Sequence, residues 1–412
     1  MRRAVTQAMA LLLLIFSAAA GQADNMCRPA ETLTHFGDWR DMAIPVAPAA
    51  QITIAPLTDD GQQAASMRLL LGARNLGAKP WSLAIRDQDG HLVAQVERSD
   101  FASADAVVWT GRLAGPKVSV SLRGADADTR LEVRGASVGR PTDSGLWAFS
   151  ISGTTPNWNS LYPTAKDRAT HSPPTLKQRE AGEAVGIMVD NTLAPVDVGA
   201  RGSRQSWCCS GVMIGRDLFL TNWHCAGPGG VWNGEVIGNA IIDLAWEQGP
   251  IRRQFSVVGV VDKDETLDYA ILRIRPASGA DGAIRSTYPV SISTAPIGDA
   301  DQIMMIHHAQ CQPKLLSTNC RVQSANRSPW TDPKGLTHQQ TEITHDCDTE
   351  PGASGAPVFN LQGELIALHH LGHQTSGTNA CPIDNVNKAV KISAIVDHVK
   401  AGNPALAREL SW

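Results

Sequence analysis

The chain has 412 residues, with 36 Lys and Arg against 40 Asp and Glu and a formal net charge of −4. That length exceeds one ordinary hydrophobic core, so two folded units and connecting segments are expected. The mixed, nearly balanced charge excludes the basic footprint of a nucleic-acid-binding protein and a polybasic membrane patch, which leaves protein or small-molecule partners.

Residues 1–23 begin with Arg2 and Arg3, run through the apolar stretch from Ala8 to Phe16, and end in small residues around Ala18, Ala20 and Ala23. This is the tripartite pattern of a secretory signal, cleaved after Ala20 or Ala23. Nothing later approaches the roughly 18 uninterrupted apolar residues of a span, so no stable membrane insertion is expected after cleavage. Cys27 follows Asp24, Asn25 and Met26, which lack the small apolar residues of a lipoprotein site. The expected location is secreted or periplasmic. In that oxidising compartment eight cysteines favour disulfides over metal thiolates, and seven of the eight lie at or beyond Cys208.

From Gln51 to Val138 short apolar runs alternate with turn signals such as Asp89-Gly90, Gly115-Pro116 and Gly124-Ala125-Asp126. The runs are Ser66 to Gly72, Trp81 to Asp87, His91 to Val96, Ala106 to Gly111, Lys117 to Arg123 and Thr129 to Val133, and they predict a small antiparallel β-sandwich within residues 24–150. No catalytic grouping occurs in it. Residues 151–183, with Thr154-Thr155-Pro156 and Ser172-Pro173-Pro174 and no sustained periodicity, read as a linker. Strand-like runs resume at Ala184: Val185 to Val189, Gly211 to Ile214, Leu218 to Thr221, Phe255 to Val261, Tyr269 to Ile274, Ile303 to His307, Pro357 to Asn360 and Glu364 to His369. Val390 to Val399 is the one good amphipathic helix candidate, and residues 403–412 read as a tail after a unit spanning 184–402. The fold class expected is all-β.

Three segments of this second unit carry chemistry. Gly352 and Gly355 flank Ser354 where a sharp turn lifts a hydroxyl, and the N–H groups of Gly352 and Ser354 then point at one spot, as an oxyanion hole needs. A Gly-x-Ser-Gly turn alone says little. Here it precedes the apolar strand Pro357-Val358-Phe359. His224 follows the run Leu218 to Thr221 and abuts Cys225, which stands sixteen residues from Cys209, a span that suits a disulfide closing the loop of His224. Asp268 directly abuts the strand that starts at Tyr269, unlike its neighbours Asp262, Asp264 and Glu265. A hydroxyl needs an imidazole to take its proton, and the imidazole needs a carboxylate to hold its tautomer. Ser354, His224 and Asp268 supply those roles.

These segments resemble the chymotrypsin-type serine peptidases, in particular the bacterial branch of glutamyl (V8-like) and lysyl endopeptidases. The resemblance is carried by Cys209-Ser210-Gly211-Val212-Met213-Ile214, Thr221-Asn222-Trp223-His224-Cys225, Ile306-His307-His308 and Leu368-His369-His370. Thr349-Glu350-Pro351-Gly352-Ala353-Ser354-Gly355-Ala356-Pro357 is similar to a Thr-Glu-Pro-Gly-Ser-Ser-Gly-Ser-Pro run of the lysyl branch. It spans Ala184 to His398 and implies a double β-barrel with a C-terminal helix, His224 and Asp268 on the first barrel and Ser354 on the second. It implies protein or peptide substrates, no metal or organic cofactor, and a monomer. It also favours the pairs Cys209 with Cys225 and Cys320 with Cys347, and leaves Cys27, Cys208, Cys311 and Cys381 three pairings. A Cys27–Cys208 pair would keep the N-terminal unit covalently attached. Val108 to Leu122 resembles the pro-regions of lysyl endopeptidase-like precursors, so the sandwich is expected to be a pro-region of a zymogen. Ala353 removes the Asp that pairs with a freed N-terminus in pancreatic-type proteases, and Trp223 is bulkier than the usual neighbour of the base.

The specificity pocket is expected around Asp348, Thr349, His369 and Ala389. Asp348 stands where trypsin gains its preference for Lys or Arg, whereas Thr349 and His369 match glutamyl endopeptidases, so a P1 preference for Glu and one for Lys or Arg compete. His369, His370 and His373 lack the Glu of a zinc helix motif and read as a strand end. The sequence therefore points to a secreted serine endopeptidase. Its rivals are a catalytically silent binding protein on the same scaffold and a protease with a permanent N-terminal targeting domain.

Overall fold

The structure, a computed structural model, describes residues 34–58, 60–101, 103, 107–139, 157–163, 172–190, 205–226, 231–246, 253–276, 289–331, 336–372 and 386–412. The signal segment, Cys27, His373 and Cys381 lie outside the described residues.

Alternation in the sequence decides the N-terminal unit. In strand Val118–Arg123 the residues Val118, Val120 and Leu122 point inward and their polar neighbours outward. This strand lies in a four-stranded sheet ordered Gln51–Ile54, Val118–Arg123, Ser82–Arg86, Leu92–Glu97. A second sheet, built from Thr34–Val46, Arg130–Gly139, Ser66–Asn75, Val107–Trp109 and Leu113–Ala114, packs over it. Leu69, Leu71, Leu83, Ile85, Val120 and Val133 fill the space between them.

The C-terminal half is two closed antiparallel barrels of six strands each. The first runs Val185–Asp190, Ala240–Asp243, Gln254–Asp264, Tyr269–Pro276, Leu218–Thr221, Gln205–Met213 and closes by pairing its ends. The second runs Leu315–Ser324, Gln302–His307, Pro357–Asn360, Leu365–Leu371, Asn387–Lys391, Glu342–His345 and closes in the same way. The mostly-β, chymotrypsin-like double barrel expected from the sequence is what forms. Strands Ala240–Asp243, Leu315–Ser324, Glu342–His345 and Asn387–Lys391 were not anticipated, because they lack clean alternation.

Three further corrections concern the connections. The sandwich is not a free-standing unit. Strand Thr34–Val46 pairs along one edge with Arg130–Gly139 and along the other with Gln205–Met213, in register Thr34↔Cys208 to Asp38↔Gln205, so the sheet passes into the first barrel without a break. Across the same junction the fully buried Arg68 guanidinium lies 4.9 Å from the Trp109 ring and 5.6 Å from that of Trp246. Secondly, the 151–183 segment is docked where it is described. Trp158–Ser160 adds to the edge of Leu315–Ser324, Leu161 is buried, and Leu176–Glu183 is a helix capped reciprocally by Thr175 and Gln178. Thirdly, Val390 and Lys391 end a strand, and the helix occupies Ile392–Gly402 with Ile392, Ile395, Val396 and Val399 inward at helical spacing. The expected tail forms a further helix, Pro404–Glu409, which buries Leu406 and Ala407.

Disulfides join Cys209 to Cys225, Cys320 to Cys347 and Cys208 to Cys311. The Cys27–Cys208 pairing is thereby ruled out, since the Cys208 sulfur is engaged with Cys311.

Candidate active site

Strand Leu218–Thr221 leads into the short helical turn Trp223–Ala226, which carries His224 and is tied to strand Gln205–Met213 by the Cys209–Cys225 bridge. Asp268 immediately precedes strand Tyr269–Pro276, with φ of 45°, a left-handed conformation that Asp tolerates better than most side chains. Its backbone carbonyl accepts from Asn222 Nδ2 at 2.8 Å. The carboxylate meets His224 twice: Oδ1 accepts from the backbone N–H at 3.0 Å, and Oδ2 lies 2.7 Å from Nδ1. Burial pushes this carboxyl up, but the adjacent His224 and the bonds from His224 and His370 outweigh it and hold it well below the usual carboxylate range.

The loop of Ser354 depends on two glycines. Gly352 has φ of 98°, and a Cβ there would stand 2.6 Å from the His308 carbonyl oxygen. Gly355 has φ of 81°, and its Cβ would stand 2.2 Å from the Ser210 carbonyl oxygen. No larger residue fits either place. Ser210 buckles this loop to the first barrel. Its N–H donates to the Ser354 carbonyl at 2.7 Å, its hydroxyl donates to the Gly352 carbonyl at 2.8 Å, and that hydroxyl accepts from His308 N at 2.9 Å. Among the described residues the N–H groups of Gly352 and Ser354 donate to no protein oxygen, which leaves both available to a substrate carbonyl. The His224–Ser354 hydrogen bond is not formed in this arrangement; such bonds commonly tighten only when substrate arrives. His224 and Ser354 are each half-buried.

The residues expected to line the pocket are inside the second barrel. Asp348 is 2% exposed, and its Oδ2 accepts from the backbone N–H of Asn157 at 2.5 Å, so the carboxylate fastens the segment before strand Trp158–Ser160 instead of standing open. Thr349 Oγ1 donates to Asn387 Oδ1 at 3.3 Å, and His369 pairs in register with the buried Ala389. His369 Nδ1 lies 3.1 Å from His345 Nε2, and burial keeps His369 well below its ordinary value and lowers His345 to about 3. Beside the nucleophile loop, burial raises Glu350 to about 7 against the opposing bond from Gln310.

Residues 209–368 match the family model of the trypsin-like peptidase domain. The match covers less than half of the chain. The chain is a hydrolase of the serine peptidase class, and its substrates are proteins or peptides. Among solved structures it is similar to the Rv3671c protease of M. tuberculosis. The inactive form is 14% identical with a TM-score of 0.38, covering 55% of this chain and 93% of that one. The active form is 15% identical with a TM-score of 0.39, covering 60% and 91%. No curated protein matches the chain. No helix among the described residues is long and apolar enough to cross a membrane.

Sequence reasoning assigned no role to Ser210, Asn222, His370 or Glu342. Ser210 was signalled by its place between Cys209 and Gly211, and Asn222 by its place two residues before His224. Nothing local marks Glu342 as buried.

Proposed function

We propose that this peptidase is an exported endopeptidase in which Ser354 attacks the scissile carbonyl and His224 takes its proton and later returns it to the leaving amine. Asp268 holds His224 in the tautomer that accepts at Nε2, and the N–H groups of Gly352 and Ser354 receive the oxyanion. The observation that carries this reading is the double grip of Asp268 on His224, one oxygen on the backbone N–H and the other 2.7 Å from Nδ1. Water then hydrolyses the acyl-enzyme. Purified protein and its Ser354→Ala variant, given the same peptide library, test it: cleavage should be confined to the unaltered protein, and equal cleavage by both removes the nucleophile assignment.

For P1 the burial and bonding of Asp348 favour an acidic over a basic residue. The Thr349 hydroxyl and the positive charge of Lys388 near His345 suit a carboxylate, while burial leaves the His369–His345 pair neutral and able to offer only an N–H. Matched peptides with Glu or Lys at P1 decide between them, and faster cleavage after Lys would overturn the acidic choice.

A second proposal concerns the N-terminal unit. Its strand Thr34–Val46 is shared with the first barrel, which favours a permanent part of the enzyme over a discarded pro-region. Mass spectrometry of the exported product tests this. A form starting near Asp24 supports it, and a form starting near Ala184 restores the pro-region.

A further inference from the structure

Glu342 is a carboxylate that the proposed reaction does not use. It opens strand Glu342–His345 of the second barrel and is 0% exposed. Its Oε1 lies 3.1 Å from His370 Nε2 and 3.2 Å from His338 Nδ1, while its Oε2 accepts from Trp330 Nε1 at 2.7 Å. His370 in turn presents Nδ1 to Asp268 Oδ2 at 3.3 Å. One buried imidazole thus stands between two carboxylates, one from each barrel. Neither burying a lone carboxylate nor burying a lone imidazolium is tolerable in such a place, but the row Asp268, His370, Glu342 is, because opposite charges alternate along it.

The surroundings keep the row fixed. Trp330 stacks on His338 with ring centroids 4.5 Å apart and planes 11° from parallel. Arg327 and Lys388 place their cationic groups 5.0 and 4.9 Å from the Trp330 ring. The other titratable groups packed round His370 are His338, His345 and His369, with His224 beyond Asp268. Burial keeps His345 and His369 neutral, so the two carboxylates govern His370. Burial alone would pull it down, yet Glu342 first and then Asp268 outweigh this and raise it to about 9.

We propose that Glu342 is a positioning residue of the hydrolytic site: acting through His370, it fastens the Asp268 carboxylate from the second barrel, so the orientation of His224 depends on both barrels. This rests on the triad reading given above. Without the Glu342 charge the His370 ring gives up its proton more readily, its contact with Asp268 loses charge assistance as it does so, and the hold on Asp268 from the second barrel weakens.

The test is Glu342→Gln in the full chain. It should lower kcat about ten-fold at little-changed KM. It should also bring the alkaline fall in kcat down from the region of pH 9 toward neutrality. In a Ser354→Ala background the His370 ring should titrate at lower pH once Glu342 is Gln, and the far-downfield proton of the His224–Asp268 bond should weaken. Trp330→Phe keeps the charge while removing a donor to it; it should move these readouts the same way by less, and it replaces Glu342→Gln should that variant not fold. An unmoved alkaline limb with an unmoved His370 titration overturns the proposal even if kcat falls, since a packing defect lowers activity without shifting either. Full cleavage by Ser354→Ala alone would instead remove the triad reading, a result the Glu342 variants cannot imitate.

Discussion

The N-terminal sandwich and the second barrel are both small antiparallel structures, yet they bury different chemistry. The sandwich packs Leu69, Leu71, Leu83, Val120 and Val133 against one another, and its fully buried cation, Arg68, faces the junction with the first barrel. The second barrel buries His307, His345, Glu342, His369, His370 and Lys388. Aliphatic contacts stabilise wherever they are placed, whereas each buried ionisable group costs free energy unless a partner stands at the right distance. A fold that carries so many of them has been shaped by something besides stability. Two of them, Glu342 and His370, form the row that reaches Asp268.

The contrast can be broken most severely at the nucleophile. Ser354→Ala should reduce peptide turnover by about 10⁵-fold or more while leaving the melting profile intact, as read from initial rates and calorimetry. The reverse dissociation comes from the sandwich. Leu83→Ala, at a buried core site, should cost about 3 kcal/mol in denaturant unfolding of the N-terminal unit, with kcat of the surviving folded enzyme unchanged. A parallel loss of kcat would show that the sandwich takes part in catalysis.

Titration sharpens the difference further. His370 is raised from 6.5 to about 9 in the folded protein, so its contribution is complete below pH 6.5 and disappears as pH climbs through about 9. Glu350, an acid raised from 4.5 to about 7, acts with the same sign: it favours the folded state below pH 4.5 and ceases to do so as pH rises through about 7. Between pH 6.5 and 10 the second barrel should therefore lose stability, seen as a falling unfolding midpoint, while the sandwich holds. A midpoint constant over that window would contradict the charged row. The smallest effect is expected at Asp348. Asp348→Asn keeps an acceptor for the Asn157 N–H and should alter cleavage after Glu by less than about three-fold. A large loss confined to Lys or Arg substrates would show that Asp348 reaches the pocket after all.

How much could be read in advance follows the same division. The sandwich strands were legible because their cores alternate along the chain, as in Val118, Val120 and Leu122. His224, Asp268 and Ser354 were legible because each lies in a short local motif, and the Cys209–Cys225 span added its own signal. Glu342 was not, since Gln339-Gln340-Thr341-Glu342 looks like a solvated edge, and only the closure of the barrel against Leu315–Ser324 and Asn387–Lys391 takes it inside. The helix Leu176–Glu183 was missed for want of an apolar stripe, although Thr175 and Gln178 stood at capping-box spacing. The burial of Asp348 had no local signal, because the partner that its carboxylate accepts from, Asn157, lies far off in sequence.

Strand Thr34–Val46 finds its second neighbour about 170 residues further along the chain, a pairing that carries a large loop-closure cost. A polypeptide that emerges from its amino end must carry that strand with one edge bare until residues 205–213 arrive, and a bare edge is an invitation to aggregate. Assembly of the first barrel is what finally covers it, so premature release of an incomplete chain would yield a sticky fragment and no enzyme.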